Sequence, residues 1–120
     1  MQFSEDQTQG YLIQSYTPGR LVVNGISYHS SVIINPDACT EWPVIHYEEV
    51  TLDALQPAVS TSTEVVIIGT GEQQHFPSAE HYLAMSRSGM GIEIMDSAAA
   101  ARTYNVLVAE NRKVVAAIIV

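Results

Sequence analysis

A glycine-containing loop after an apolar run is the first place in this 120-residue sequence where chemistry could be supported. Residues 67–78 read IIGTGEQQHFPS, so two isoleucines lead directly into Gly69, Thr70 and Gly71. A loop of this kind at a strand end can turn backbone N–H groups toward a ligand. The dinucleotide fingerprint G-x-G-x-x-G would need a glycine where Gln74 stands, and the G-x-x-x-x-G-K-[ST] phosphate loop is missing. We therefore expect no nucleotide binding by either device.

A second segment, MDSAAAARTYN at residues 95–105, complements the first. Asp96 follows a short apolar run and stands where a helix should begin. If the two preceding strands are neighbours, residues 69–72 and 96–99 line one crevice at the carboxyl edge of the sheet, where open α/β domains bind ligands. A helix N-terminus there would favour a small anion, which Asp96 opposes unless it caps the helix. The ligand-binding candidates are Gly69, Thr70, Gly71, Asp96, Arg102, Thr103, Tyr104 and Asn105.

The same glycines also have a purely structural interpretation, which stays open. Gly69 and Gly71 could provide only the positive φ or the close backbone approach that a strand exit requires. No G-x-S-x-G or H-E-x-x-H motif is present, and the four histidines follow no metal-ligand spacing. The single cysteine, Cys39, excludes an internal disulfide and a multi-thiolate zinc site within one chain. We assign no catalytic residue, metal site or cofactor, and the sequence favours a protein that is not an enzyme.

The composition disfavours nucleic acid as a partner and a membrane-spanning chain. Five Lys and Arg residues stand against thirteen Asp and Glu, a formal charge of −8, so nucleic acid would be repelled. Hydrophobic residues make up 47% of the chain without a long uninterrupted run, which indicates a compact soluble protein with no transmembrane segment. The first residues, MQFSEDQTQGY, have neither a basic nor an apolar leader pattern, so we expect a cytoplasmic, unprocessed chain.

The first half of the sequence has the alternation and turn residues of β structure. TPG and the Asn24–Gly25 pair predict tight turns between apolar runs. Trp42, in a Pro-bounded loop, is expected to fold onto the core. The predicted elements are strands at 11–16, 21–23 and 26–34, a turn-rich connection at 35–43, and a short helix at 51–59 with Thr51 as N-cap and Pro57 as its limit.

The second half predicts β-α-β-α-β, and hence helices on a largely parallel sheet. Tyr82, Leu83 and Met85 are expected to supply the apolar contacts of the first of these helices. The position of the last strand, central or edge, stays open. We expect one three-layer α/β domain over residues 11–120, after an acidic, flexible segment at 1–10. The elements are a buried strand ending at GTG, a helix at 78–88, a buried strand at 91–95, a helix at 98–110 and a strand at 114–120.

The segments IIGTGEQQHFPS and GMGIEIMDSAAAARTYNVLVAENRKVVAAII, with WPV upstream, resemble a known family. These are uncharacterised bacterial and archaeal domains related to a mitochondrial complex I assembly factor and to an adipogenesis-associated mammalian protein. The resemblance covers residue 11 to the end and implies a mixed sheet of about five strands, one of them antiparallel. It brings no catalytic role. The matching positions are Gly69, Thr70, Gly71, Phe76, Pro77, Met95, Asp96, Ala101, Thr103, Tyr104 and Asn105.

Two functional hypotheses follow. The first is a non-enzymatic assembly or regulatory domain that acts through protein–protein contacts with a partner that the sequence does not identify; a homo-oligomer is also open. The alternative is a small-molecule- or anion-binding protein, or a weak enzyme, that uses the crevice between residues 69–72 and the helix start at Asp96. The loop EQQH carries no Lys or Arg, which disfavours an anion.

Overall fold

The computed structural model describes residues 10–60 and 62–120, and two β-sheets dominate it. The predicted acidic segment at 1–10 lies, apart from Gly10, outside the described residues. A three-stranded antiparallel sheet in the order β1-β2-β3 is formed by β1 (Ile13–Thr17), β2 (Arg20–Val23) and β3 (Ile26–Tyr28). A five-stranded sheet in the order β5-β4-β8-β6-β7 is formed by β4 (Val32–Asn35), β5 (Ala38–Glu41), β6 (Val65–Gly69), β7 (Gly91–Met95) and β8 (Val114–Ile118).

Helical segments cover the five-stranded sheet on both faces. The two α-helices are α1 (Ala79–Ser86) and α2 (Ser97–Ala109), and two 3₁₀ helices span Tyr47–Glu49 and Asp53–Ala58. α2 and the small sheet lie on one face, while α1 and the 3₁₀ helices lie on the other. The predicted three-layer α/β architecture is therefore confirmed.

The five-stranded sheet is mixed, as the family resemblance implies. β6 runs parallel to both β7 and β8, whereas β4 is antiparallel to β8 and to β5. One strand thus opposes the other four. β8 lies between β4 and β6, so the last strand is central, and every residue of Val114–Ile118 is buried.

The core alternates between the two faces of this sheet, as the two-residue repeat of a strand requires. Ile67 packs with Tyr104 of α2 on one face, while Ile68 packs with Leu55 and Trp42 on the other. The prediction for Trp42 is confirmed, because it is only 3% exposed and its Nε1 donates a hydrogen bond to the Ala54 carbonyl at 2.8 Å.

The single strand predicted at 26–34 is wrong. β3 ends at Tyr28 and pairs with β2, while β4 begins at Val32 and pairs with β8. The chain passes from one sheet to the other between them, and the exposed polar residues His29 and Ser30 suit that passage. One alternating pattern therefore served two sheets.

The connection predicted at 35–43 contains a strand that the sequence did not reveal. Asn35 Oδ1 accepts hydrogen bonds from the backbone N–H of Asp37 at 2.7 Å and of Ala38 at 2.9 Å. This side-chain turn joins β4 directly to β5. Turn-forming residues here mark a tight hairpin rather than a long loop.

The helix predicted at 51–59 is a 3₁₀ helix over Asp53–Ala58. Thr51 Oγ1 does accept a hydrogen bond from Ala54 N, at 3.2 Å. Pro57 lies inside the segment and has no N–H to give to an α-helical hydrogen bond, which favours the tighter, shorter form.

One prediction about a buried surface in the second half is also wrong. β7 is an edge strand on which Gly91 and Glu93 are exposed, so it is covered less completely than β6. α1 buries Met85, but Tyr82 is 45% exposed and Leu83 is 48% exposed. α1 has only eight residues and lies over an edge strand, so it buries one of these three side chains rather than all of them.

Candidate functional site

The parallel pairing of β6 with β7 places the glycine loop beside the first turn of α2. Thr70 N donates a hydrogen bond to the Met95 carbonyl at 2.9 Å, and Ser97 N donates one to the Gly71 carbonyl at 2.8 Å. Gly71 N in turn donates to Ser97 Oγ at 2.8 Å. The loop and the helix start that the sequence predicted as two walls of a crevice are therefore bonded directly to each other.

The two glycines are required for different reasons, Gly69 for close packing and Gly71 for its backbone conformation. A Cβ atom on Gly69 would lie 2.8 Å from Ser97 Oγ, closer than real Cβ contacts, and 3.1 Å from the Ala100 Cβ, which would have to shift. Gly71 has φ +100°, in the region that residues with a side chain rarely adopt.

Most polar groups at this strand exit are used within the fold. The Asp96 carboxylate caps α2 by accepting a hydrogen bond from Ala99 N at 2.8 Å. Ser97 Oγ donates to the Ile119 carbonyl at 2.6 Å. Thr70 Oγ1 donates to the Gln73 carbonyl at 2.7 Å and accepts from His75 N at 3.1 Å.

The remaining ligand-binding candidates lie along α2 rather than at the loop. Tyr104 is fully buried, and its hydroxyl donates to the Tyr11 carbonyl at 2.7 Å. Asn105 holds the backbone of Ile13 through two hydrogen bonds, from Ile13 N to Oδ1 at 3.0 Å and from Nδ2 to the carbonyl at 2.7 Å. Arg102 is exposed and Thr103 is half-buried. The structure thus groups Gly69, Thr70, Gly71 and Asp96, and ligand binding by any of the eight stays a prediction.

Tyr16 is a buried polar group near the same strand exit that the sequence did not single out. Its hydroxyl oxygen has no hydrogen-bond partner within the described part of the chain. Burial raises the pKa of Tyr16, and the negative charges of Glu72 and Asp96 raise that pKa further. The local potential therefore disfavours an anion and suits a neutral or cationic group.

Aromatic side chains form a second feature, on the face that carries α1. The rings of Tyr47 and His75 stack with centroids 4.2 Å apart and an interplanar angle of 8°. Phe76 meets Tyr82 edge to face, with centroids 6.4 Å apart. Phe76 is nevertheless 61% exposed and Ile45, two residues before Tyr47, is 70% exposed. We call this region the Phe76 surface and define it as Ile45, Tyr47, His75, Phe76, Tyr82 and Leu83.

Part of the Phe76 surface could have been found from the sequence. Ser78 is the N-cap of α1, with its side chain accepting from His81 N, so Phe76 lies two residues before the cap and Tyr82 four residues after it. This spacing is a variant of the hydrophobic staple, which pairs an apolar residue before the cap with one in the first turn. The pattern predicts the Phe76–Tyr82 contact but not its exposure to solvent.

A groove adjoins the Phe76 surface at Ile45. It has a volume of about 700 Å³ and lies where β8 and β5 end. A second cavity of about 770 Å³ lies at the opposite end of the central strands and includes Asn105, Arg112 and Lys113. Within residues 10–60 and 62–120, no three His, Cys, Asp or Glu side chains are grouped to hold a metal ion. The residues of the groove are His29, Ser30, Ser31, Glu41, Trp42, Pro43, Val44, Ile45, Ile119 and Val120.

Residues 13–119 match a family described as a protein of unknown function, DUF498/DUF598. The chain belongs to this family. This confirms the resemblance that the glycine loop and the Asp96 segment indicated. No helix in the described part of this family member is long and apolar enough to cross a membrane.

Two relatives of the chain carry different names. The chain is 30% identical over 117 residues to the 13 kDa major membrane protein of Francisella tularensis subsp. holarctica (strain LVS), with 95% of each chain covered. It is 28% identical over 116 residues to NADH dehydrogenase (ubiquinone) 1 alpha subcomplex assembly factor 3 of Xenopus tropicalis. That alignment covers 95% of this chain but only 63% of the assembly factor. A relation to an assembly factor is therefore confirmed, for a part of that longer protein.

A solved structure supports the fold independently. The crystal structure of a Bordetella parapertussis protein superposes with a TM-score of 0.82 at 35% sequence identity. The match covers 91% of this chain and 94% of the other. The mixed α/β architecture is thus shared by an experimental structure of similar length.

Proposed function

We propose that this protein acts through contacts with other proteins, as a non-enzymatic assembly or regulatory factor. The observation that carries the proposal is the exposure of Phe76, 61% of which faces solvent although Tyr82 holds its ring in place. Clustered exposed apolar side chains mark interaction sites on soluble proteins. The relation to an assembly factor supports the same class of function.

The arrangement of these rings suits a protein interface. Aromatic residues are enriched at interfaces because they bury a large area with few rotatable bonds. The stack of Tyr47 on His75 and the edge contact of Phe76 with Tyr82 bring four rings together within the chain itself. Side chains that already contact one another lose less conformational entropy on binding than free ones.

Chemical crosslinking of the chain at its natural level, in the cells that express it, tests the proposal. The chain would be captured under denaturing conditions, and crosslinked peptides would be identified by mass spectrometry. We expect crosslinks to at least one other protein in a fixed ratio to the captured chain. Capture of the chain crosslinked only to itself, or to nothing, would contradict a partner-binding function.

We also propose a cytoplasmic location. Cys39 is the only cysteine, and it is free and half-buried. A chain without a disulfide suits a reducing compartment. Fractionation of the same cells, with the chain followed by antibody, checks this location, and recovery in the membrane or extracellular fraction would contradict it.

A small ligand at the glycine loop is the second candidate function, and the unpartnered hydroxyl of Tyr16 favours it. A thermal-shift screen of neutral and cationic metabolites on the wild-type chain, Gly71→Val and Asp96→Ala would test it. Binding at the loop predicts a compound that stabilises the wild type and not the variants. Equal shifts in all three forms, or no shift at all, would remove this candidate.

A further inference from the structure

We propose that the Phe76 surface and the adjoining groove bind a cationic amphipathic helix of a protein partner, with Leu-like side chains on one face and Lys or Arg beside them. This inference rests on the proposed function and names the chemistry of the partner. It follows from two properties of the region, its apolar shape and the sign of the charges around it.

Ile45 links the groove to the aromatic rings along the chain. It lines the groove and precedes the stacked Tyr47 by two residues. Trp42 and Val44 contribute apolar atoms within the groove, and Phe76 stands out beyond the stack. A helix that places apolar side chains at i, i+3, i+4 and i+7 can set one in the groove and the next against the rings.

Ile45 is held in position by a charged neighbour. Glu49 accepts hydrogen bonds from Ile45 N at 2.7 Å and from His46 N at 2.9 Å. The bonds from the N–H groups of His46 and Ile45 lower the pKa of the Glu49 carboxyl, so it stays ionised at neutral pH. The apolar contact and a negative charge are thus built into the same turn.

The charges around this region have one dominant sign. Segments 41–49 and 73–87, which supply the Phe76 surface and part of the groove, contain four Glu residues against a single Arg, Arg87 at the end of α1. All four carboxylates are exposed, and no Lys or Arg is found among the described residues of the groove. Such a rim attracts a positively charged segment and repels an acidic one. The four are Glu41, Glu48, Glu49 and Glu80.

The same charges argue against two other occupants. A second copy of this chain would present an identical rim of carboxylates across a two-fold interface, where like charges would face each other. An anionic lipid surface would be repelled for the same reason. A basic helix from a different protein is the occupant that both shape and charge fit.

Fluorescence anisotropy with a labelled 18-residue Leu–Lys amphipathic helix tests this inference, with a Leu–Glu peptide of the same pattern as its counterpart. We expect the Leu–Lys peptide to bind and the Leu–Glu peptide not to bind. Phe76→Ser should weaken binding about tenfold or more, as loss of an aromatic anchor does. Ile26→Ser and Val106→Ser remove side chains that are 57% and 54% exposed on the opposite layer, and should leave the affinity within about twofold.

Charge reversal distinguishes the effect of the carboxylates around the Phe76 surface on peptide binding from the effect of the overall charge of −8. The double change Glu48→Lys with Glu80→Lys should weaken binding of the Leu–Lys peptide about tenfold more than Glu93→Lys with Glu110→Lys, which alters net charge equally. Equal losses in the two doubles, or no effect of Phe76→Ser, would overturn the inference. All these side chains are exposed, and an unchanged urea midpoint would confirm that each variant is folded.

The other occupants give different results. A dimer in sedimentation that Phe76→Ser dissociates would assign the surface to a second copy, and binding to phosphatidylserine vesicles that Phe76→Ser abolishes would assign it to a membrane. Repeating the cellular crosslinking with Phe76→Ser distinguishes failure of this inference from failure of the proposed function. A partner still captured by Phe76→Ser overturns this inference and leaves the proposed function intact, whereas no partner with the wild type overturns the proposed function itself.

Discussion

The two α-helices begin alike and are used differently. Each follows a strand of the same sheet and starts at a side-chain cap, Ser78 for α1 and Asp96 for α2. α2, with 13 residues, buries Tyr104 completely, whereas α1, with eight, leaves Tyr82 45% exposed. The difference shows that two helices with similar starts on one sheet can bury their tyrosines to very different extents.

The polar groups of α2 are tied into the fold, while two apolar side chains of α1, Tyr82 and Leu83, are exposed and only Met85 is buried. Ser97, Tyr104 and Asn105 all hydrogen-bond to backbone atoms of distant segments. On the other face, Tyr47 stacks on His75 and also packs against the core, while Phe76 meets Tyr82 edge to face and both stay exposed. We therefore assign a stabilising role to α2, and the partner contact that we propose lies in the region around α1.

Truncating the matched tyrosines is expected to give the largest contrast. Tyr104→Ala should lower the free energy of unfolding by about 3–5 kcal/mol, because it leaves a cavity in the core. Tyr82→Ala should cost less than about 1 kcal/mol, since it loses an exposed edge contact. Urea unfolding of both variants measures the contrast, and similar losses would break the distinction between the two helices.

Removing the two serine hydroxyls is expected to have the next largest effect. Ser97→Ala should cost about 2–3 kcal/mol, because Gly71 N and the Ile119 carbonyl lose their buried partner. Ser78→Ala should cost about 1 kcal/mol or less, as for an exposed cap. Thermal unfolding followed by circular dichroism checks the order, and an equal cost would contradict the assignment of α2 to stability.

Removing the amide of Asn105 sharpens the same comparison along α2. Asn105→Ala should cost about 1–2 kcal/mol, because the N–H and carbonyl of Ile13 lose their partners. Arg102→Ala, on the exposed side of the same helix, serves as the control and should change stability by less than about 0.5 kcal/mol. Hydrogen exchange at Ile13 should accelerate in the first variant only, and protection kept in Asn105→Ala would show that the amide does not hold β1.

Alkaline pH is expected to have the smallest effect. Burial first, and then the charges of Cys39 and Asp37, raise the pKa of Tyr104, so the folded state keeps its proton when the unfolded state has lost it. Stability from this group is complete below pH about 10 and falls as the pH rises above that value. The loss attributable to Tyr104 between pH 10 and 11 should be about 0.5–1 kcal/mol. Unfolding of Tyr104→Phe over this interval should show a correspondingly smaller slope, and an unchanged slope would contradict the shift.

The sequence predicted the elements whose residue pattern is complete within one segment of the chain. The continuous apolar run before Gly69 and the Asp96 cap with apolar residues at helical spacing were enough for β6 and α2. The break at 29–31 was not visible, because one alternating pattern serves strands of two different sheets. β5 was missed because Asn35 and Pro36, which signal a turn, do not reveal that the chain returns immediately as a strand.

The candidate site was predictable only in part, and for a physical reason. Spacing placed Gly69, Thr70, Gly71 and Asp96 at one edge, and the structure brings them together. The direct contact between the loop and Ser97 depends on backbone approach, which no residue pattern encodes. The exposure of the Phe76 surface could not be predicted from the sequence, because it is set only in the folded structure. It depends on how little of the edge strand β7 the short helix α1 covers.

Site-specific photocrosslinking in cells tests the central claim most directly. p-Benzoylphenylalanine would replace Phe76 in one form of the chain and Val106, which is 54% exposed on α2, in the other. The account predicts a light-dependent adduct with a different protein from position 76 and none from position 106. No adduct from position 76, or the same adducts from both positions, would contradict the assignment of partner contact to the Phe76 surface.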